Sequence, residues 1–263
     1  MIPAVEITRL SHAYGTTTAL ADVSLDVAPG AFVSIVGPSG CGKSTLLKVL
    51  AGLLAPTAGT ATISATSTVG RPGLAGYRPQ RDLLLPWKRA LDNAALGAEF
   101  GGDRTNTRRA EVRHRAAELF ERFGLAGFEH SWPSELSGGM RQRLALLRTY
   151  LTGARVLLLD EPFGALDAIT RRDLHAWLQE LWVDEVGETH DEPRSALFIT
   201  HDVDEALFMS DTVHVMSARP GRIVDTIDMT AQRPRQPDII TSERFVASKA
   251  RLLNALDRSR LPE

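Results

Sequence analysis

Residues 32–45 read FVSIVGPSGCGKST, an apolar segment that runs directly into a glycine-rich turn. The apolar segment Phe32-Val33-Ser34-Ile35-Val36 predicts a strand, and Leu46, Leu47, Leu50, Leu53 and Leu54 then recur at helical spacing until Pro56. Between strand and helix, Gly37, Gly42, Lys43 and Ser44 satisfy G-x-x-x-x-G-K-[ST]. Glycine lets the backbone approach an anion closely. Successive N–H groups, aided by the positive end of the following helix, then converge on phosphate oxygens. Lys43 is placed to neutralise the β- and γ-phosphates of a nucleotide, and the Ser44 hydroxyl to coordinate Mg²⁺. A plain glycine turn joining strand to helix is the alternative.

The rest of the chain narrows the class. With 263 residues, of which 43% are apolar, it suits one large α/β domain or two small lobes sharing a core. No apolar run approaches the roughly 18 residues needed to span a bilayer. The start, MIPAVEITRL, lacks the basic-then-apolar pattern of a secretory signal. A net charge of -2 gives no global attraction to nucleic acid. The single cysteine, Cys41, excludes an internal disulfide and fits a reducing compartment. Inside the phosphate loop it reads as a small filler residue.

Val5 and Ile7, then Val23, Leu25 and Val27, alternate with mostly polar neighbours as strands do, and Pro29-Gly30 makes a turn. Residues 57–76 read as short strands and turns. From Thr107 to Phe123 one helical face carries Val112, Ala116, Leu119, Phe120 and Phe123, with Gly124 as the stop. The arginines at 108, 109, 113 and 115 are its solvated side. Short continuous apolar runs at Val156–Leu159, Ala196–Thr200 and Val213–Met216 predict parallel strands buried on both faces. Gly187 to Arg194 reads as an exposed loop, Arg219-Pro220-Gly221 as a hairpin turn, and residues 241–258 as an amphipathic helix.

Further residues carry chemistry. Val156 to Glu161 ends a strand in two carboxylates: Asp160 is placed for the Mg²⁺ shell and Glu161 to polarise an attacking water. Alternatively, Glu161 is a bystander, or the pair is a solvated strand end. His201 follows the next apolar strand, where it could contact the γ-phosphate and orient the water or Glu161, or simply cap and pack. Leu136-Ser137-Gly138-Gly139-Met140 precedes a helical run, so a hydroxyl and two glycine N–H groups form a second anion site. One nucleotide does not need two distant sites in one chain, so the second would serve a nucleotide held by another copy. An ordinary serine cap is the alternative.

The ordered set GPSGCGKST, Gln80, LSGGM, LLLDEP, Ala165-Leu166-Asp167 and His201-Asp202 resembles the nucleotide-binding subunit of an ABC transporter, over nearly the whole chain. That resemblance implies an α/β P-loop NTPase fold of the ABC ATPase type. It would have a mainly parallel core sheet, an antiparallel β subdomain and an inserted helical lobe. Residues 1–263 would form one nucleotide-binding domain: 1–80 and 151–230 the catalytic core with its β subdomain, about 81–150 the helical signature lobe, and 231–263 a C-terminal helical tail. It implies ATP and Mg²⁺ as cofactors. Tyr14 matches the aromatic that stacks on adenine, and Gly37, Pro38, Ser39, Gly40, Cys41, Gly42, Lys43, Ser44 and Thr45 match the phosphate loop. Gln80 matches the glutamine that reaches Mg²⁺ and senses the transmembrane partner; Ser44, Gln80 and Asp160 would hold the metal. Ser137, Gly138 and Gly139 match the loop that closes over the partner subunit's ATP. Asp167 matches the loop that crosses the dimer interface, and Glu161 and His201, with Lys43, match the hydrolytic residues.

Leu84-Leu85-Pro86-Trp87, Asp160 to Asp167 and Ser217-Ala218-Arg219-Pro220-Gly221-Arg222-Ile223 resemble importers of nitrate, sulfonates, taurine and thiamine-precursor pyrimidines. Met140 stands where glutamine is commoner, and the extra β domain of related sugar importers is not expected. The implied partners are a second copy sandwiching two ATP molecules, transmembrane permease subunits and, indirectly, a solute-binding protein, with no nucleic acid. The implied location is peripheral, on the cytoplasmic face of the cell membrane. A non-transport ATPase of the same superfamily acting on nucleic acid or the ribosome would show a long coiled-coil insertion or tandem cassettes. A small-molecule kinase would leave LSGGM unexplained. Leu83 to Trp87 reads either as internal packing or as the edge of a groove for a permease helix.

Overall fold

The computed structural model describes residues 2–99, 106–164, 166–188, 193–230 and 234–259. In chain order, β1 (Val5–Tyr14) and β2 (Thr17–Val27) form a hairpin, and β3 (Phe32–Val36) leads through the glycine-rich turn into α1 (Lys43–Leu50). Next come β4 (Ala58–Ile63), β5 (Thr66–Ser67), β6 (Gly76–Arg78), then α2 (Ala90–Ala94), α3 (Asn106–Arg122) and α4 (Gly138–Tyr150). The chain continues with β7 (Val156–Asp160), α5 (Ala168–Glu188), β8 (Ser195–Ile199) and α6 (Val203–Met209). It closes with β9 (Thr212–Met216), β10 (Ile223–Asp228) and α7 (Glu243–Ser259).

Among the described residues these strands make two sheets. One is antiparallel, ordered β2-β1-β4-β5; the other is ordered β10-β9-β3-β8-β7-β6, parallel except for β10 at its edge. The continuous apolar runs follow from burial on both faces. In β3, Phe32 and Val36 enter one core while Val33 and Ile35 enter the other. In β7, Leu157 and Leu159 alternate with Val156 and Leu158 in the same way. Helices α2 to α7 contribute to the first core; α1 lies in the second, between the parallel sheet and the antiparallel one.

Two boundaries differ from the sequence reading. Helix α1 stops at Leu50, although Leu53 and Leu54 continue its spacing. Gly52 takes φ 74°, its N–H donates to Val49 O at 3.0 Å, and Leu53 N–H donates to Lys48 O at 2.9 Å. This paired closure uses up the last carbonyls and turns the chain away. Leu53 is left exposed. At the other boundary, Gly187 and Glu188 belong to α5 rather than to a loop. Thr189 to Glu192 lie outside the described residues. Pro193 and Arg194 are half-buried rather than exposed, with the Arg194 guanidinium 4.7 Å from the Tyr150 ring centroid. Among the described residues, no helix is long and apolar enough to cross a membrane.

A buried arginine helps tie in the C-terminal stretch. Arg235, 4% exposed, donates from Nη1 to Leu207 O and Phe208 O, each at 2.9 Å, and from Nη2 to Met229 O at 2.6 Å. It thereby satisfies the end of α6, where free carbonyls favour a cation.

Candidate nucleotide site

Parallel strands β3, β6, β7, β8 and β9 all end on one rim of the sheet, where open α/β sheets place their ligands. A cleft of about 520 Å³ opens there, lined by Tyr14, Thr17, Ala19, Gly37, Ser39, Gly40, Gly42, Lys43, Ser44, Thr45, Gln80, Glu161, His201 and Arg219.

The phosphate loop wraps its own lysine. Lys43, 8% exposed, donates from Nζ to Gly37 O at 2.8 Å and Pro38 O at 2.9 Å, so the cation is held at the loop's centre. Gly42 adopts φ 110°, and a Cβ there would lie 2.7 Å from Ala19 O, so glycine is required on both counts. The Cys41 side chain turns inward, 1% exposed, among the apolar residues of the second core, and does not line the cleft. The Pro38 side chain does not line it either. Tyr14, 48% exposed, stands at the mouth, with its hydroxyl 3.4 Å from Thr45 Oγ1 and its ring edge-to-face with His12.

The two carboxylates differ sharply. Asp160 is 3% exposed, and burial raises its pKa, opposed by a hydrogen bond with Ser44 and the charge of Lys43. The buried Arg78 donates from Nη1 to the Asp160 carbonyl at 3.2 Å; desolvation brings the Arg78 pKa down to about 10. Glu161 leaves the strand at φ 47°, a turn that swings its side chain to the cleft, while its N–H donates to Ile199 O at 2.9 Å. Gln80 Nε2 donates to Glu161 Oε2 at 2.8 Å, and His201 Nδ1 lies 3.7 Å from the same oxygen. Gln80, Glu161 and His201 follow β6, β7 and β8, which are adjacent strands.

Ser44, Gln80 and Asp160 offer a hydroxyl, an amide and a carboxylate oxygen. That hard-donor set fits Mg²⁺, which takes few protein ligands and keeps water or substrate phosphate oxygens in the remaining positions. Among the described residues no group of three or more His, Cys, Asp or Glu side chains is placed to hold a metal ion.

Ser137, Gly138, Gly139 and Asp167 stay away from this cleft. Ser137 caps α4, accepting from Met140 N–H at 3.2 Å; Asp167 caps α5, accepting from Thr170 N–H at 3.0 Å. Both Ser137 and Asp167 are exposed. Ala165, between Gly164 and Leu166, lies outside the described residues. Trp87 is 70% exposed, which overturns internal packing as its role; the loop beneath it is held by the buried Asn93. Asn93 accepts from Leu85 N–H at 2.8 Å and donates to Leu85 O at 3.1 Å and Lys88 O at 2.9 Å.

Four contributors were missed in the sequence: Thr17, Ala19, Arg78 and Arg219. Arg219 donates from Nε and Nη2 to Gly40 O, at 3.2 and 2.9 Å, bracing the tip of the phosphate loop. Its signal was present as the cation before Pro220-Gly221. Thr17 and Ala19 carry none, being backbone-adjacent positions of a strand.

Comparison with known proteins follows the same lines. The profile of the ABC transporter family matches residues 20–164. An aliphatic sulfonates import ATP-binding protein of Rhodococcus jostii is 46% identical over 213 residues, 81% of this chain and 79% of that protein. A taurine import ATP-binding protein of Rhizobium johnstonii is 44% identical over 218 residues, 82% of this chain and 79% of its own length. A dimeric structure of a bacterial ABC transporter cassette superposes with a TM-score of 0.73 at 27% identity, covering 87% of this chain and 100% of that one. A post-hydrolysis dimeric form of that cassette, bound to ADP and Pi, matches equally well.

Proposed function

Since the chain belongs to the ABC transporter family, we propose that it is the ATP-hydrolysing subunit of an importer, working as a pair of copies beneath separate permease subunits. The single observation that carries the catalytic part is Glu161, bound to Gln80 at 2.8 Å and 3.7 Å from His201, beside the phosphate loop. The names of the relatives support a small sulfonate-bearing solute such as an aliphatic sulfonate or taurine. The solute would pass through the permease, delivered by a solute-binding protein, without touching this chain. A peripheral position on the cytoplasmic side of the membrane goes with that role.

Within one copy, Tyr14 packs on the adenine and the loop from Gly37 to Thr45 surrounds the phosphates. Lys43 balances charge on the β- and γ-phosphates, which grows on the leaving oxygen as the terminal phosphoryl group departs. Ser44, Gln80 and Asp160 would hold Mg²⁺, which when bound would supply further neutralisation of the phosphate oxygens. Glu161 accepts a proton from the attacking water, and His201 fixes the geometry of that carboxylate and the terminal phosphate. Ser137, Gly138 and Gly139 of a second copy close over the nucleotide from the far side, and Asp167 lies along the seam. Closure moves the permease, and product release reopens it. Residues 81–150 act as the lobe that joins Gln80 to the permease through the exposed Trp87.

The test is phosphate release from MgATP by the purified chain, paired with sulfonate or taurine uptake by cells lacking it. Loss of uptake with retained ATPase in the purified chain supports the reading. A chain that binds ATP but leaves uptake of every sulfonate, taurine and nitrate tested unchanged overturns the importer assignment.

A further inference from the structure

His201 is 66% exposed on its side chain, and among the described residues its ring makes no hydrogen bond, its nearest charged partner being Glu161 Oε2 at 3.7 Å. The residues on either side of it are, by contrast, fully engaged. The Thr200 hydroxyl donates to Glu205 Oε2 and accepts from Asp202 N–H at 3.0 Å. Asp202 Oδ1 accepts from Glu205 N–H at 3.1 Å, capping α6. Both carboxylates then meet one helix. Arg171 Nη1 donates to Asp202 Oδ2 at 3.1 Å, and His175 Nε2 lies 2.8 Å from Glu205 Oε1. Arg171 and His175 are four residues apart and therefore share a face of α5. Arg171 also donates from Nη2 to Leu166 O at 3.0 Å, and His175 packs edge-to-face on Phe163 at 4.6 Å.

We propose that Arg171 and His175 are positioning residues for His201. Neither lines the nucleotide cleft. They act as two parallel struts from α5 onto Asp202 and Glu205 of α6, and through Thr200 and Asp202 they clamp the peptide on both sides of His201. An imidazole that approaches Glu161 only to 3.7 Å and is otherwise exposed is thereby aimed by its neighbours. The His175 half of the clamp has little slack, whereas the Arg171–Asp202 pair is partly open to solvent. His175, Glu205 and Thr200 are 7%, 6% and 2% exposed, so water does not readily replace a lost partner. Arg171 adds a second anchor, the Leu166 carbonyl, which fixes the turn after Phe163 and the turn after β8 at one separation. The inference rests on the hydrolytic role proposed above for His201.

A double-mutant cycle in the full chain tests it. Arg171→Met should lower kcat by about tenfold or more while ATP Kd shifts by less than about twofold, since the cleft itself is untouched. In a His201→Ala background the same change should cost less than about twofold, because the group being aimed is already gone. Arg171→Lys, able to reach Asp202 or Leu166 but not both, should recover part of the loss, and His175→Gln provides a second, milder variant. Equal fold-losses in both backgrounds, or no loss from either variant, would overturn the proposal. Wild-type turnover by His201→Ala alone would overturn the role assigned to His201 and this inference with it. A fall caused by His201→Ala but by neither strut variant overturns only the inference.

Discussion

Gln80 and Glu161 hold each other: the amide nitrogen of the residue two places beyond β6 donates at 2.8 Å to the carboxylate that follows β7. The contact ties the start of the segment carrying Trp87 to the carboxylate proposed as general base. Replacing Glu161 with Gln preserves shape and should keep ATP affinity near the wild-type value. It removes the base, so turnover should fall by roughly 10²–10⁴. Equilibrium ATP binding and phosphate release measure the two halves, and hydrolysis near the wild-type rate would make Glu161 a bystander.

Ser137 and Asp167 are exposed caps of α4 and α5 and do not line the cleft of their own chain. Lys43→Ala cripples one phosphate loop and Ser137→Arg blocks one signature turn. Each parent should be nearly inactive, whereas mixed dimers retain one composite site of wild-type parts. Mixing the two proteins should restore a measurable fraction of ATPase activity. Full activity of the Ser137→Arg protein alone would remove Ser137 from the site.

Trp87 is exposed on a loop that Asn93 pins from below, so its removal leaves no cavity. Trp87→Ala should change stability by less than about 0.5 kcal/mol, as surface replacements do. ATP affinity of the isolated chain should stay level while co-purification with the permease, or transport per ATP, falls. Unimpaired assembly and transport would clear Trp87 of any part in docking.

His214 lies inside β9 with Nδ1 2.9 Å from Thr226 Oγ1, and its Nε2 is buried without a partner. Burial lowers its pKa to about 4, against a smaller opposing effect of Asp26. The folded chain keeps the ring neutral where the unfolded chain takes up a proton. Stability from this residue is therefore intact above about pH 6.5 and lost as pH falls from there toward 4. Between pH 7 and 5 the loss is on the order of 2 kcal/mol. Thermal melts at those two pH values should differ less for His214→Gln than for wild type; an identical pH dependence would show that another group dominates.

Much of this architecture was readable in advance because its signals are chemical and local. FVSIV, VLLLD and ALFI are apolar at consecutive positions, as only strands buried on both faces need to be, and the lysine-bearing loop announces its ligand by its glycines. The end of α1 was not readable from spacing: Leu53 and Leu54 sit at helical intervals, and what stops the helix is Gly52 in a left-handed closure. Gly187 looked like a loop start, yet α5 runs through it. Arg219 reaches Gly40 across 179 residues of sequence, a proximity that no local pattern encodes. The apolar Leu83 to Trp87 segment read two ways, and no spacing divides it: Leu84 packs into the core while Leu83 and Trp87 stay exposed.

The alternation of side chains through β3 and β7 turns the parallel sheet into a bulkhead between two separately filled compartments. The phosphate loop's helix lies on one side with the antiparallel strands, and α2, α3 and α4 on the other. Leu119, Phe120 and Leu144 thus pack in one compartment and Leu46 and Leu47 in the other, so a volume change among the first three meets the sheet before it meets α1. A lineage is therefore free to remodel the helical compartment for one membrane partner after another while the grip on the nucleotide stays as it was.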